Sequence, residues 1–461
     1  MAGFLWLNLF SFAWVYNANM ADQTLYRKLL GGIIKLKSVS TDSVYAGDIE
    51  KAAMWLEKLF GENGFRTQII TGYDNPIVIA EYVVSEKAPT CLVYGHYDVQ
   101  PAEINDGWVK EPFELSEMDG RLYGRGVVDN KGQFLVHVAT VISLIKEKKL
   151  GCNVKFMIEG NEETGSPAIE EFVKKNKELL KADFTLISDG EMNLKQPNIE
   201  AGFRGGFNST LSITSGKTDL HSGIYGGAVP SSVLEMVKFI NSLYDDNNSI
   251  TIKGFYDDVD EIKGKIKKNN EELPFDESEY LKVAGVKALV REKGFEVNSQ
   301  VALRPSIQVT GFQSGYVGEG YRNSIPAKTV AKINFRLVKS QNPNEIIKLF
   351  REHLKKVMPD YVEYEFVATE PYEGIKLDLD NSIVTKTKQI LEKVYGEKVV
   401  FKFSGGGLPI VTLFDQILKV PNVLVPLGNE DCAMHAPNEN YDLKYLDKSL
   451  SFSREFFSSP W

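Results

Sequence analysis

Residues 91–98 read CLVYGHYD: a short apolar run, a glycine, then a histidine and an aspartate two positions apart. An apolar run of this length that stops on polar residues predicts a strand buried on both faces, Cys91–Tyr94, with His96 and Asp98 at its carboxyl end. The same texture recurs at Val154–Ile158, followed by Glu162 and Glu163, at Phe184–Ile187, followed by Asp189, and at Val423–Leu427, with His435 beyond it. Ile49, Ala52, Ala53, Leu56, Leu59 and Phe60 fall at helical spacing and Glu62-Asn63-Gly64 supplies the stop, while Gln133–Glu147 reads as an intervening helix. Buried strands alternating with helices predict an α/β domain.

From Phe207 the texture changes. Phe207, Ser209, Leu211 and Ile213 alternate with their neighbours, as do Ala331, Ile333, Phe335 and Leu337, which predicts half-buried antiparallel strands. Val233–Tyr244 and Glu345–Val357 carry helical periodicity, so a smaller α+β domain is expected to be inserted in the first. The charged, weakly periodic stretch Lys253–Gln300 is read as an elaboration of it. From Asn381 the buried-strand texture returns and ends in a helix over Leu443–Phe456. The expected boundaries are 20–203 and 381–461 for a discontinuous first domain and 204–380 for the insert.

The chain of 461 residues is 43% apolar and 25% charged, which excludes a disordered or fibrous protein. With 53 Lys and Arg against 62 Asp and Glu, the net charge of -9 speaks against nucleic acid and for a small partner. Cys91, Cys152 and Cys432 are an odd number without short pairings, pointing to a reducing, cytoplasmic setting. Phe4–Tyr16 is too short to span a membrane and lacks the basic start of a secretory signal. Met20 precedes a polar start and the helical pattern Leu25–Leu36, so translation is expected to begin there.

In open α/β sheets ligands bind at the carboxyl edge of the strands. That edge collects His96, Asp98, Glu162, Glu163, Asp189 and His435, and Asp129 in the turn Gly126–Gly132 joins them. Alone, His-x-Asp is a surface accident, Glu-Glu a solvated loop and Asp-Gly a turn; together, buried charges at consecutive strand ends are costly without a cation. Imidazole and carboxylate are zinc ligands, and two ions about 3.5–4 Å apart suit amide hydrolysis. Adjacent Glu162 and Glu163 cannot both face one ion, so one is expected to bind metal and the other to move protons. His137 reads as a packing residue and His353 as solvent-facing. Cys432-x-x-His435 lacks the second pair of a structural zinc site, and Ser404–Gly407 could cradle an anion or simply turn.

The segments YGHYDVQP (94–101), GRGVVDNKG (124–132), EGNEETGS (159–166), SDGE (188–191), DLHSGIYGG (219–227), NSIPAKTVAKINFRLV (323–338), SGGGLP (404–409) and HAPNE (435–439) resemble the dinuclear-zinc amidohydrolases. That family includes carnosinase-type dipeptidases, glutamate carboxypeptidase, acetylornithine deacetylase and succinyl-diaminopimelate desuccinylase. The DNKG turn, DLHSGIYGG and the long insert through Leu273–Tyr280 look most like the dipeptidase branch. The resemblance implies a mixed-sheet zinc-hydrolase catalytic domain with an inserted α+β lid and dimerisation domain.

It also implies that Asp129 bridges two divalent ions, zinc or alternatively manganese or cobalt, with His96 and Asp189 on one and Glu163 and His435 on the other. Glu162 would be the general base for attack by metal-bound hydroxide, Asp98 would orient His96, and the Asp129–Asn130 peptide would be cis. His221 would stabilise the oxyanion from the partner subunit of a homodimer, and Arg336 would clamp the terminal carboxylate of a small peptide. Asn323, Gly406 and Gly407 fall at substrate-binding positions. Two features depart from the branch: Phe403-Ser404 and Gly407 replace its Arg-Glu and Ser around the glycines, and Asn323 stands where threonine is common. The implied function is hydrolysis of dipeptides or of the C-terminus of short peptides. The alternatives are an N-acyl-amino-acid deacylase or desuccinylase and, in another class, a catalytically silent binding homologue.

Overall fold

In the computed structural model, which describes residues 20–461, the run CLVYGHYD forms the strand Thr90–His96, buried over all but its first residue. Phe4–Tyr16 lies outside the described residues. A six-stranded sheet has the order Arg66–Ile70, Ile77–Tyr82, Asn153–Glu159, Thr90–His96, Phe184–Ile187, Asn422–Leu424. The last four strands are parallel and the first two antiparallel, so the sheet is mixed. Parallel neighbours put their carboxyl ends on one edge, and that edge receives the acidic and imidazole groups.

Helices Ala46–Glu62, Lys131–Glu147, Ser382–Tyr395 and Leu443–Ser458 cover this sheet. Ile49, Leu56 and Phe60 on one helix, Phe134 and Leu135 on another and Leu450 and Phe456 on a third join Val93, Phe156 and Leu186 in a single buried core. Lys131–Glu147 is buried over most of its length, which is why its sequence lacks a polar face. The predicted strand Val423–Leu427 is shorter than its apolar run. Pairing stops at Leu424, because Pro426 has no N–H to continue a ladder.

Two compact units divide the described residues, Leu377–Phe401 and Leu413–Trp461 joining residues 20–201 in the first, and Lys402–Thr412 joining Gly202–Lys376 in the second. The second unit holds a four-stranded antiparallel sheet in the order Ser306–Ser314, Lys328–Leu337, Gly205–Thr214, Glu363–Tyr372. Its core stacks Phe207 on Phe335 at 4.2 Å and sets Phe350 edge-on to Phe335. Helix Pro343–Val357 starts where the Asn342 side chain accepts from the amides of Asn344 and Glu345, with proline at a first-turn position that needs no donor. Lys253–Gln300, weakly periodic in sequence, contains Gly264–Glu272, Glu277–Ala284 and the start of Val297–Ala302.

Candidate metal centre

His96 ends its strand with no solvent exposure. Its Nδ1 lies 3.1 Å from the backbone oxygen of Asp98 and 3.3 Å from Asp98 Oδ1, which turns Nε2 the other way. Nε2 is 3.1 Å from Asp129 Oδ1 and 3.7 Å from Asp189 Oδ2, yet it is buried without a hydrogen bond. Burial works against the imidazolium here, but the carboxylates of Asp129 and Asp98 outweigh it and hold the ring's pKa well above the usual value.

Asp129 lies in the turn leading into helix Lys131–Glu147, and the Asp129–Asn130 peptide is cis, as the family resemblance implied. Gly132 closes the turn by donating to the carbonyl of Gly126 at 3.0 Å, and a Cβ there would fall 1.7 Å from the carbonyl oxygen of Val127. A carboxylate from another part of the chain anchors the turn. Glu439, fully buried, accepts from Arg125 Nη1 at 2.8 Å and from the amides of Gly126, Val128 and Asp129 at 2.9, 2.8 and 3.0 Å.

Glu162 and Glu163 occupy a short 3-10 turn just past strand Asn153–Glu159. Asp98 fixes it: its Oδ1 accepts from the Glu162 amide at 3.2 Å and its Oδ2 from the Glu163 amide at 3.0 Å and the Ser40 hydroxyl at 2.6 Å. The two side chains then diverge. Glu163 Oε2 lies 3.3 Å from His435 Nε2 and accepts from Gln100 Nε2 at 2.7 Å. Glu162 belongs to neither group of clustered ligand atoms, and burial pushes its carboxyl above the usual range.

His435, exposed and at φ 61, brings Nε2 to 2.7 Å from Asp129 Oδ2. Asp129 and then Glu163 raise its pKa to about 10. A non-glycine residue in the left-handed region is strained, and such strain is kept where a site fixes the backbone. Asp189 lies two residues past strand Phe184–Ile187; burial, then the charge of Asp129, drives its carboxyl up.

These side chains form two groups, His96 with Asp129 and Asp189, and Asp129 with Glu163 and His435, each with ligand atoms within 4.8 Å of one another. Asp129 is common to both. A pair of divalent ions fits this donor set. The site crowds acidic groups of one sign around two imidazoles, a costly arrangement without cations, and the unpartnered His96 Nε2 faces the oxygens of Asp129 and Asp189.

The remaining sequence candidates lie in the second unit. His221 is exposed, with Nδ1 accepting from the Gly223 amide at 3.1 Å. It pairs with Ser324 across a two-residue ladder, and the Ser222 amide donates to the carbonyl of Asn323 at 3.0 Å, so His221 and Asn323 are neighbours. Arg336 is half-buried and donates from Nη1 to the Tyr372 hydroxyl at 2.8 Å. Gly406 accepts at its carbonyl from the Arg204 amide at 3.1 Å, and Gly407 lies beside Tyr372.

His137 is buried between the hydroxyls of Ser188 and Ser453, at 2.9 and 3.0 Å, and burial lowers its pKa to about 3, which fits a packing residue. His353, expected to face solvent, is half-buried instead, because the helix turns its ring toward Phe239 and its Nε2 to 3.2 Å from Ser242 Oγ. Cys432 is buried with its thiol 3.3 Å from Glu191 Oε1, and Cys91 and Cys152 are also buried free thiols. Sequence reasoning assigned no role to Gln100 or Glu439. Gln100 donates one hydrogen bond to Glu163 and Glu439 accepts four from the distant segment Arg125–Asp129, contacts that leave no local spacing to read.

The model of peptidase family M20/M25/M40 matches residues 92–458. Beta-Ala-His dipeptidase of Rattus norvegicus is 30% identical over 389 residues, covering 83% of this chain and 79% of the relative. Cys-Gly metallodipeptidase of Saccharomyces cerevisiae is 28% identical over 433 residues, covering 89% and 90%. Among solved structures, an M20 family metallo-carboxypeptidase from Sulfolobus solfataricus superposes with TM-score 0.82 at 30% identity, over 94% of this chain and 98% of that one. Human carnosine dipeptidase 1 superposes with TM-score 0.77 at 26% identity, over 96% and 98%.

Proposed function

The chain belongs to peptidase family M20/M25/M40, whose members hydrolyse peptide and amide bonds with metal ions, and from that premise we propose that it is a dinuclear metal-dependent dipeptidase or carboxypeptidase. The observation that carries this reading is Asp129, whose two carboxylate oxygens lie 3.1 Å from His96 Nε2 and 2.7 Å from His435 Nε2. A carboxylate can bridge two ions where an imidazole cannot. In this reading His96, Asp129 and Asp189 hold one ion and Asp129, Glu163 and His435 the other. When bound, such ions, zinc or alternatively manganese or cobalt, acidify water and polarise a scissile carbonyl.

The chain's own residues do the rest. Glu162 takes a proton from water and returns it to the leaving amine, a role open to it because its carboxylate belongs to neither ligand group. Asp98 keeps it in position through the Glu162 amide. His221 donates to the developing oxyanion from the partner subunit of a homodimer, with Asn323 beside it just past the end of its ladder. Arg336 pairs with the substrate's terminal carboxylate, for which a planar fork is suited. Buried free thiols agree with a reducing, cytoplasmic setting, and among the described residues no helix is long and apolar enough to cross a membrane.

Removing metal with phenanthroline is expected to abolish hydrolysis, with zinc or cobalt restoring it; unaffected turnover after metal analysis confirms removal would contradict the dinuclear reading. Screening dipeptides against acetyl- and succinyl-amino acids on metal-loaded protein separates the peptidase from a deacylase. Mixing His221→Ala subunits with Glu162→Gln subunits is expected to recover part of the activity, because one of the two sites in a heterodimer then has both groups intact. No recovery in verified heterodimers would argue that His221 acts within its own chain.

A further inference from the structure

We propose that Tyr372 is a second hydrogen-bond donor to the substrate's terminal carboxylate, and that Arg204 is a positioning residue, tying the 404–407 segment beside Tyr372 to Ser306 on the strand next to Arg336; this rests on reading Arg336 as the carboxylate clamp. Arg336, Gly206 and Tyr372 stand in one row across three adjacent strands, Gly206 opposite each of the other two. In-register residues share a face of the sheet. With no side chain at Gly206, Arg336 Nη1 reaches the Tyr372 hydroxyl at 2.8 Å. A phenol that accepts keeps its own proton to give, and among the described residues that proton has no acceptor. The guanidinium and the hydroxyl therefore offer neighbouring donors to one anion.

Charge leads to the same place. Arg204 donates from Nε to the carbonyl of Gly405 at 3.2 Å and from Nη1 to the carbonyl of Arg304 at 3.1 Å and to Ser306 Oγ at 3.2 Å. All of these partners are neutral, and among the described residues neither Arg204 nor Arg336 makes an ion pair with a carboxylate. Burial, then the nearby charge of Arg336, lowers Arg204 to about 10. Two guanidiniums close enough to repel, with no counter-charge between them, favour an anion.

The glycine run explains how the segment 404–407 fits. A Cβ at Gly405 would lie 2.4 Å from the Val301 carbonyl oxygen and 3.0 Å from Arg204 Nη2, and one at Gly407 would lie 3.0 Å from a Tyr372 ring carbon and 3.1 Å from its hydroxyl. Side chains there would push on Arg204 and Tyr372. Gly405 and Gly407 thus serve close approach to these two residues.

The test is steady-state kinetics on one dipeptide with a free C-terminus and on its C-terminal amide, using metal-loaded enzyme. Losing a hydrogen bond to a charged group is expected to make Tyr372→Phe raise KM for the free acid by about tenfold, with kcat little changed and the amide little affected. Arg204→Met is expected to show the same split and Arg204→Lys not to rescue it, since a point charge cannot replace the fork that spans Gly405, Arg304 and Ser306. Competitive inhibition by the free amino acid, weakened in both variants relative to inhibition by the amino-acid amide, is the matching readout without turnover. Tyr372→Phe with unchanged KM for the free acid, or with equal losses on acid and amide, overturns the proposal while leaving the clamp intact if Arg336→Ala still discriminates. Should Arg336→Ala itself affect acid and amide alike, the clamp reading fails and this proposal with it.

Discussion

Replacing Glu162 by glutamine is expected to lower kcat by roughly 10²–10⁴-fold, the range that a positioned proton-transfer group supplies, while the protein keeps two metal ions. Glutamine has nearly the same shape, and the backbone amide that Asp98 holds at 3.2 Å is unchanged, so the turn Glu162–Thr164 should keep its conformation. What is lost is the capacity to accept a proton. The ligand groups do not use Glu162, so metal content should be retained. Stopped turnover with two ions bound per chain, read by elemental analysis, separates an enzyme from a binding homologue, which would be indifferent to the change. Near-normal turnover would remove Glu162 from the chemistry, and loss of metal would make it a ligand instead.

The part of this arrangement that was legible in the sequence came from short apolar runs that stop abruptly. Thr90–His96 and Phe184–Ile187 are buried almost throughout, so their residues are mostly apolar, and the polar residues at their ends marked the edge where the sheet meets the site. Asp129 was legible for another reason: the turn around it cannot tolerate a side chain at Gly132, which fixes the local pattern. The stretch Lys253–Gln300 was illegible because its helices bury little; Glu277–Ala284 has no buried residue, and an exposed helix needs no apolar stripe. His353 misled because the lysines beside it in sequence suggested a solvated face, while its ring packs toward Phe239 and Ser242, contacts that no local spacing reveals. Bonds donated by backbone amides, such as those from the Glu162 and Glu163 amides to the Asp98 carboxylate, put no constraint on the residue types that supply the amides and so are invisible in a single sequence.

Replacing Glu439 by alanine is expected to cost about 3–5 kcal/mol of stability, the range for breaking a buried ion pair by removing one partner, and to weaken metal binding as well. The reasoning starts from the side left behind. Arg125 is almost completely buried and would lose its carboxylate. The amides of Gly126, Val128 and Asp129 would lose their acceptor at the same time, and no neighbouring group that they already bond would replace it. Those amides belong to the turn that aims Asp129 at both His96 and His435, so the turn should loosen where the two ligand groups meet. Glu439→Gln separates the two effects. Its amide keeps one oxygen for the backbone but faces Arg125 or an N–H with a second donor, so part of the stability should return while metal binding stays impaired. Denaturant unfolding of the metal-free protein reads the first effect, and titration with cobalt, followed by its visible spectrum, reads the second. If Glu439→Ala unfolds like the parent chain and binds two cobalt ions as tightly, the four hydrogen bonds to this carboxylate do not hold the site, and the position of Asp129 must be fixed by the rest of its turn.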